Sequence, residues 1–371
     1  GKNYSELYKD TIGNGKFARL SPYVSGSFSV TYISFQTLFG KFKPNELTET
    51  FKRFQDNRII LSKRNAEGNK YWQELPTSQK FLSDGYYTGY SRYAQDVLIP
   101  SFIAAYTNKD PNSVPLIEEE NGNIRSNPFK GILPKPNWRI TYTGLTRVPG
   151  MEKIFTSFTV SHAYTSNLSM NSFNNNLMFQ DPLSYNAPGF IDTATGNFYP
   201  YFLVPNLSIS EAFVPFIDID MQFTSQFNAR FEYKKSRQLS LSLIDFQLSE
   251  ARSEEFTVGI GWRKRGLKMP FKFKLPGMKS SSKELSNDLN FKLDVGLRDD
   301  ATANSRLDQE TALPTAGQKV VTISPSIDYV LNNRINLRLF FDQRRTIPKV
   351  STSAPITTTR AGLQIRVSLA Q

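Results

Sequence analysis

The sequence predicts an all-β chain folded as a transmembrane antiparallel β-barrel, with a short helical insert and long loops. Three observations predict it. Apolar and polar residues alternate through eleven segments, which places successive side chains on opposite faces of a strand. Only 39% of the 371 residues are apolar while 13% are aromatic, with 29 Phe and 17 Tyr; a wet-centred barrel with aromatic girdles accommodates both values. The longest apolar run, Val97 to Tyr106, holds a proline and is about half the 20 residues a membrane helix needs. A soluble β-sandwich is the other architecture that alternation permits, but its dry interior would need a larger apolar fraction.

Composition removes several classes of chemistry. The chain has no Cys and one His, which excludes disulfides, thiolate metal sites and cysteine nucleophiles, and most zinc chemistry. Its 45 Lys+Arg against 33 Asp+Glu give a net charge of +12, yet the basic residues form no recognisable nucleic-acid motif. The aromatic content argues against disorder. The start at Gly1, without Met or an apolar leader, reads as a cut end.

Taken in chain order, Phe28 to Tyr32 is the first alternating segment. After Pro44, with Asn45 as N-cap, Leu47, Phe51 and Phe54 form one apolar stripe at helical spacing. A helical insert over 45–63 follows, plugging or flanking a strand pair. Asn108 to Pro136, rich in Pro, Asn and Gly, reads as an irregular loop. Strands then recur at Trp138 to Tyr142, Ile154 to Tyr164, Ile217 to Phe223, Ala229 to Tyr233, Leu239 to Leu243 and Phe256 to Trp262. The last four are Leu289 to Leu297, Val321 to Leu331, Ile335 to Phe341 and Ala361 to Leu369. From Arg230 to Asp245 the odd positions stay in phase across Lys234-Lys235-Ser236-Arg237, so this is either one strand projecting beyond a bilayer or a hairpin without Gly.

Outer-membrane barrels keep short turns in the periplasm and longer loops outside, and their final strand ends in the periplasm. Arg344 to Thr357 and Asp299 to Gln318 are therefore expected outside and Asn332-Asn333 inside. Lys264 to Asn287 breaks the rule, being expected inside yet long and basic.

Two constellations could carry chemistry. Ser161 and His162 are adjacent in a strand and so point to opposite faces, which rules out a nucleophile–base hydrogen bond. Asp218 and Asp220 share a face at a spacing that suits a cation, but solvated lumen residues suit the pattern better. Glu118 to Glu120 lacks the spacing of a calcium loop. Basic clusters at Lys63-Arg64, Lys234-Lys235 with Arg237, Arg263 to Arg265, Lys279 with Lys283, and Arg344-Arg345 fit either lipid headgroup phosphates or ordinary solvated turns. On the barrel reading, Asp218, Asp220, Lys292, Asp294, Arg338 and Arg366 face a hydrated lumen. Phe291, Leu293, Leu337, Leu339, Leu363 and Ile365 face lipid.

Several passages resemble one family. They are Ser27 to Phe39 (SFSVTYISFQTLF), Thr50 to Asn65 (TFKRFQDNRIILSKRN), Gln95 to Tyr106 (QDVLIPSFIAAY), Pro136 to Val148 (PNWRITYTGLTRV), Val160 to Ser169 (VSHAYTSNLS) and Phe231 to Leu243 (FEYKKSRQLSLSL), with Lys349 to Leu369 at the end. Together these resemble the C-terminal part of SprA/Sov, the giant outer-membrane translocons of the Bacteroidota type IX secretion and gliding-motility system. The resemblance implies that residues 1–371 are the C-terminal portion of one very large single-chain barrel, of up to about 36 strands, without an independent second domain. It also implies a bacterial outer-membrane location and a lumen that exports folded cargo bearing a C-terminal secretion signal. The implied partners are a PorV-like shuttle barrel, a periplasmic plug protein and outer-membrane lipid or lipopolysaccharide. The family is a conduit, so no catalytic residue, metal or cofactor is expected. The final Leu369-Ala370-Gln371 departs from the aromatic that closes many outer-membrane barrels. A self-contained porin or lipid-modifying barrel is the alternative reading.

Overall fold

Strict alternation gives each strand two chemically different faces, and the chain satisfies its backbone by lining these strands up antiparallel. The computed structural model describes residues 2–3, 7–9, 17–19, 23–117, 134–266, 288–332, 335–350 and 354–367. Its strands are β1 (Lys2–Asn3), β2 (Leu7–Lys9), β3 (Phe17–Arg19), β4 (Tyr23–Val30), β5 (Trp138–Tyr142), β6 (Phe155–Asn175), β7 (Phe202–Leu203) and β8 (Asn206–Phe223). They continue as β9 (Phe227–Ser242), β10 (Gln247–Arg265), β11 (Asp288–Arg306), β12 (Ala312–Asn332), β13 (Ile335–Pro348) and β14 (Ile356–Val367). One sheet runs β1-β4-β6-β8-β9-β10-β11-β12-β13-β14, with β5 and β7 also paired to β6, while β2 and β3 form a separate pair. Every ladder is antiparallel. The all-β expectation with a helical insert is met. Among the described residues no helix is long and apolar enough to cross a membrane.

Strands β6 and β8 to β12 run 16 to 21 residues, well beyond the alternating segments read from sequence. The stretch Arg230 to Asp245 is one strand as far as Ser242 and turns after it, with Lys235 and Arg237 in the phase of Tyr233 and Leu239. The expected loop Asp299 to Gln318 shrinks to 307–311; its flanks are ladder residues whose side chains are small or charged, so hydropathy hides them. Likewise β13 and β14 leave only 349–355 of the expected Arg344 to Thr357 connection. Most of Lys264 to Asn287, with Lys279 and Lys283, lies outside the described residues, as do Asn333, Glu118 to Glu120 and Leu369 to Gln371.

The helical insert is larger than 45–63. Helix α1 spans Glu49–Gly68, α2 spans Lys70–Gln73 and α3 spans Gln95–Tyr106. Thr48 caps α1 instead of Asn45, its extended backbone letting the hydroxyl accept from the Phe51 N–H at 3.1 Å, as Thr does at this position. Phe51 and Phe54 of the predicted stripe are fully buried. Helix α3 contains the run that is too short, and holds a proline, for a membrane span, and every residue from Asp96 to Tyr106 is buried. Pro100 removes the N–H that would meet the Asp96 carbonyl four residues back. The Asn65 side-chain amide on α1 donates to that carbonyl at 2.8 Å instead, so the helix survives its proline.

The core lies where α1 and α3 press on the sheet. Phe51, Phe54, Leu98, Phe102 and Ile103 from the helices share one buried cluster with Leu168 and Met170 of β6, Leu207 and Ile209 of β8, Leu239 and Leu241 of β9, and Leu248 of β10. The remaining length of the same sheet face has no such cover.

Candidate functional site

Register divides the sheet into two faces. One face carries Asp218 and Asp220 on β8, Arg230, Glu232 and Lys234 on β9, Glu255 on β10, Lys292, Asp294 and Arg298 on β11, Asp328 on β12, Arg338 on β13 and Arg366 on β14. All six residues read from sequence as lumen-facing fall here. Its charges compensate one another. Arg230 grips Asp218 through Nε at 3.0 Å and Nη2 at 3.3 Å; Lys234 meets Glu232 at 2.9 Å and Glu255 at 3.6 Å; Arg338 meets Asp328 at 3.8 Å. Asp220 stands opposite Arg230 in the ladder. Asp218 is thus committed to a guanidinium.

The opposite face is apolar over part of its length. Trp262, Phe291, Ile327, Leu339 and Leu363 form one row across five strands, and Leu293, Leu337 and Ile365 lie in the flanking rows. All six residues read as lipid-facing fall here. Leu339 is 53% exposed, Leu363 64% and Ile365 60%, so the protein itself leaves a broad hydrophobic surface open. Such a patch marks a binding or membrane surface.

The band has defined limits. On β10 the charged residues that bound the band on this face are Glu254 and Lys264, with Phe256, Val258, Ile260 and Trp262 between them. Ten residues at about 3.3 Å each span roughly 33 Å, or about 25 Å once a tilt near 40° is allowed. Aromatic rings gather at both limits. At one, Phe155 contacts Phe223 at 4.6 Å and Phe223 contacts Phe227 at 5.3 Å. At the other, Phe213, Phe216, Tyr233 and Phe256 form a chain, ending in a stacked Tyr233–Phe256 pair at 4.4 Å. His162 joins the second group beside Trp138. Its Nδ1–H donates to the Phe216 carbonyl at 2.6 Å, a group freed by the register shift between Phe213 and Ile217. Ser161 lies on the other face, with its hydroxyl 3.3 Å from that of Thr141.

Beyond this second limit the same face turns charged, then buried. Glu211, Arg237, Glu250 and Arg252 stand in adjacent strands beneath the segment joining β4 to α1. Arg237 is paired with Glu211, both fully buried, and donates to the Thr37 carbonyl at 3.0 Å and hydroxyl at 2.7 Å. Arg252 pairs with Glu250 at 2.7 Å and donates to the Leu38 and Gly40 carbonyls at 3.1 and 2.6 Å. Ser34 donates to Glu211 at 2.5 Å. These guanidiniums pin the irregular chain that carries the helices. The Tyr106 ring lies against Arg237 at 5.6 Å, and burial pushes its hydroxyl well above the ordinary tyrosine range. Sequence reading passed over this cluster, although its signal was present: charged residues in phase with Tyr233 and Leu239. The helices therefore flank the sheet on the face of the apolar band, and do not plug the polar side.

No protein-family model matches this sequence, and neither does any curated protein.

Proposed function

We propose that this chain forms part of the wall of a large outer-membrane β-barrel, acting as the protein-conducting translocon of a type IX secretion system. The observation that carries the reading is the sheet itself: a continuous polar, charge-compensated face backed by an exposed apolar band about 25 Å tall between two aromatic girdles, as a barrel wall requires. Wall segment is favoured over a self-contained porin or lipid-modifying barrel because, among the described residues, β14 pairs only with β13 and the sheet does not close. Open edges in a spanning sheet are not tolerated in lipid, so further strands complete the wall. The long connections 31–137 and 176–201 leave the sheet beyond the girdle of Tyr233 and Phe256. Barrels keep long loops outside, which makes that end extracellular. On this reading the charged face lines a hydrated conduit for folded cargo with a C-terminal secretion signal. A shuttle barrel like PorV, a periplasmic plug and outer-membrane lipid are its partners, and the chain does no catalysis.

Single cysteines at Ile365 and Arg366, neighbours on opposite faces of β14, test the reading in the full-length protein in its native membrane. A membrane-impermeant thiol reagent should label Arg366→Cys and spare Ile365→Cys. Equal labelling would remove the membrane reading.

A further inference from the structure

Beyond the second girdle, the uncovered part of the apolar face over β11 to β13 carries an unusual arrangement of charge. Asp299 on β11 stands opposite Lys319 on β12, the natural partner for it. Lys349 takes that carboxylate instead: its backbone N–H donates to the Gly317 carbonyl at 2.9 Å and its ammonium crosses β12 to pair with Asp299. The crossing passes over Gly317, where a Cβ would come within 3.2 Å of the Lys349 side chain. Lys319 is left exposed, with no carboxylate partner among the described residues. Arg345 is two residues from Ile347, which faces Lys319 across the ladder, so the two cations are diagonal neighbours within reach of one another's long side chains. Arg345 is also exposed and, among the described residues, without an ion-pair partner. Thr357 sits directly across from Arg345 and adds a hydroxyl. Like charges within reach of each other on one sheet face repel, and an anion between them relieves that repulsion.

The position specifies the anion. One row inward from Lys319, Val321 faces Arg345, and Ile323, Phe341 and Leu363 continue the apolar face from there. An amphiphile whose chains cover Val321, Ile323, Phe341 and Leu363 would bring its headgroup phosphate to Lys319 and Arg345. We propose that these two residues clamp a phosphate of an anionic outer-leaflet lipid, with Lys349 keeping Asp299 neutralised so that the clamp stays open to it. This rests on the apolar band facing the bilayer.

The test uses full-length protein in phosphatidylcholine nanodiscs doped with bisphosphorylated lipid A or its dephosphorylated form, with retained lipid counted by native mass spectrometry. The native protein should retain the phosphorylated form roughly 30-fold better, as two interfacial cations provide. The double variant Lys319→Gln/Arg345→Gln should lose that preference, and the opposite-face variant Arg338→Gln/Arg366→Gln should keep it. An undiminished preference in Lys319→Gln/Arg345→Gln overturns the clamp, even where Ile365→Cys stays shielded and the membrane reading stands. Equal labelling of Ile365→Cys and Arg366→Cys overturns both.

Discussion

Arg237 shows how a single side chain can set the position of a whole subdomain. It sits in a strand, fully buried, bound to Glu211 and to both oxygens that Thr37 offers. A buried ion pair contributes little over a matched apolar pair, but removing one member leaves an uncompensated charge and costs about 3–5 kcal/mol. Arg237→Met should therefore loosen the helical cover by that amount, and Glu211→Met added to it should recover most of the loss. Amide hydrogen exchange of α1 and α3 in the detergent-solubilised protein reads this directly. If Arg237→Met leaves their protection unchanged, the pinning role is wrong. The same residue marks the limit of sequence reading. Its phase with Leu239 was legible, but a charge on an apolar phase looks like an error in the pattern until the Ser34–Gly40 segment is seen lying over it.

At the scale of elements, strands were legible where one face meets an apolar phase and illegible where it does not. Phe291 to Leu297 announces β11, whereas Asp299, Ala301 and Ala303 continue the same ladder without the signature, because that stretch lies beyond the apolar band. The polar and apolar residues assigned to opposite faces follow from parity alone, so all twelve were separable from sequence. Helix α3 was illegible for a different reason: its run was weighed only as a membrane span, for which it is too short and holds a proline, and the compensation for that proline comes from another element. Asn65 supplies the donor that Pro100 lacks. Asn65→Ala should take that hydrogen bond away from the buried Asp96 carbonyl, costing about 0.5–1.5 kcal/mol. Pro100→Ala in that background restores an intrahelical N–H and should return much of the stability. Limited proteolysis within 69–94, which joins α1 to α3, measures both. Equal proteolysis of the native protein and Asn65→Ala would show that the side-chain bond contributes nothing.

For the whole molecule, the two faces and the single helical cover amount to a statement about depth. A soluble sheet would bury its apolar side under a second layer along its full length, whereas here α1 and α3 stop at the charged row of Lys235 and Glu254. The face below that row stays exposed between its two girdles. On the proposed reading a bilayer takes the place of that second layer, and it would make the effect of a charge depend on its position along a strand. Leu339 lies near the middle of the band on β13, and Thr357 on β14 lies at its rim opposite Arg345. Leu339→Arg should weaken membrane integration by about 2–4 kcal/mol and Thr357→Arg by about 0–1 kcal/mol, following the depth dependence of charges on the lipid face of barrels. Arg338→Leu, one residue from Leu339 but on the other face, should leave integration unchanged. The fraction of full-length protein resistant to urea extraction from membranes ranks the three. A protein partner covering this face instead of lipid would penalise Leu339→Arg and Thr357→Arg alike, because a protein interface has no midplane.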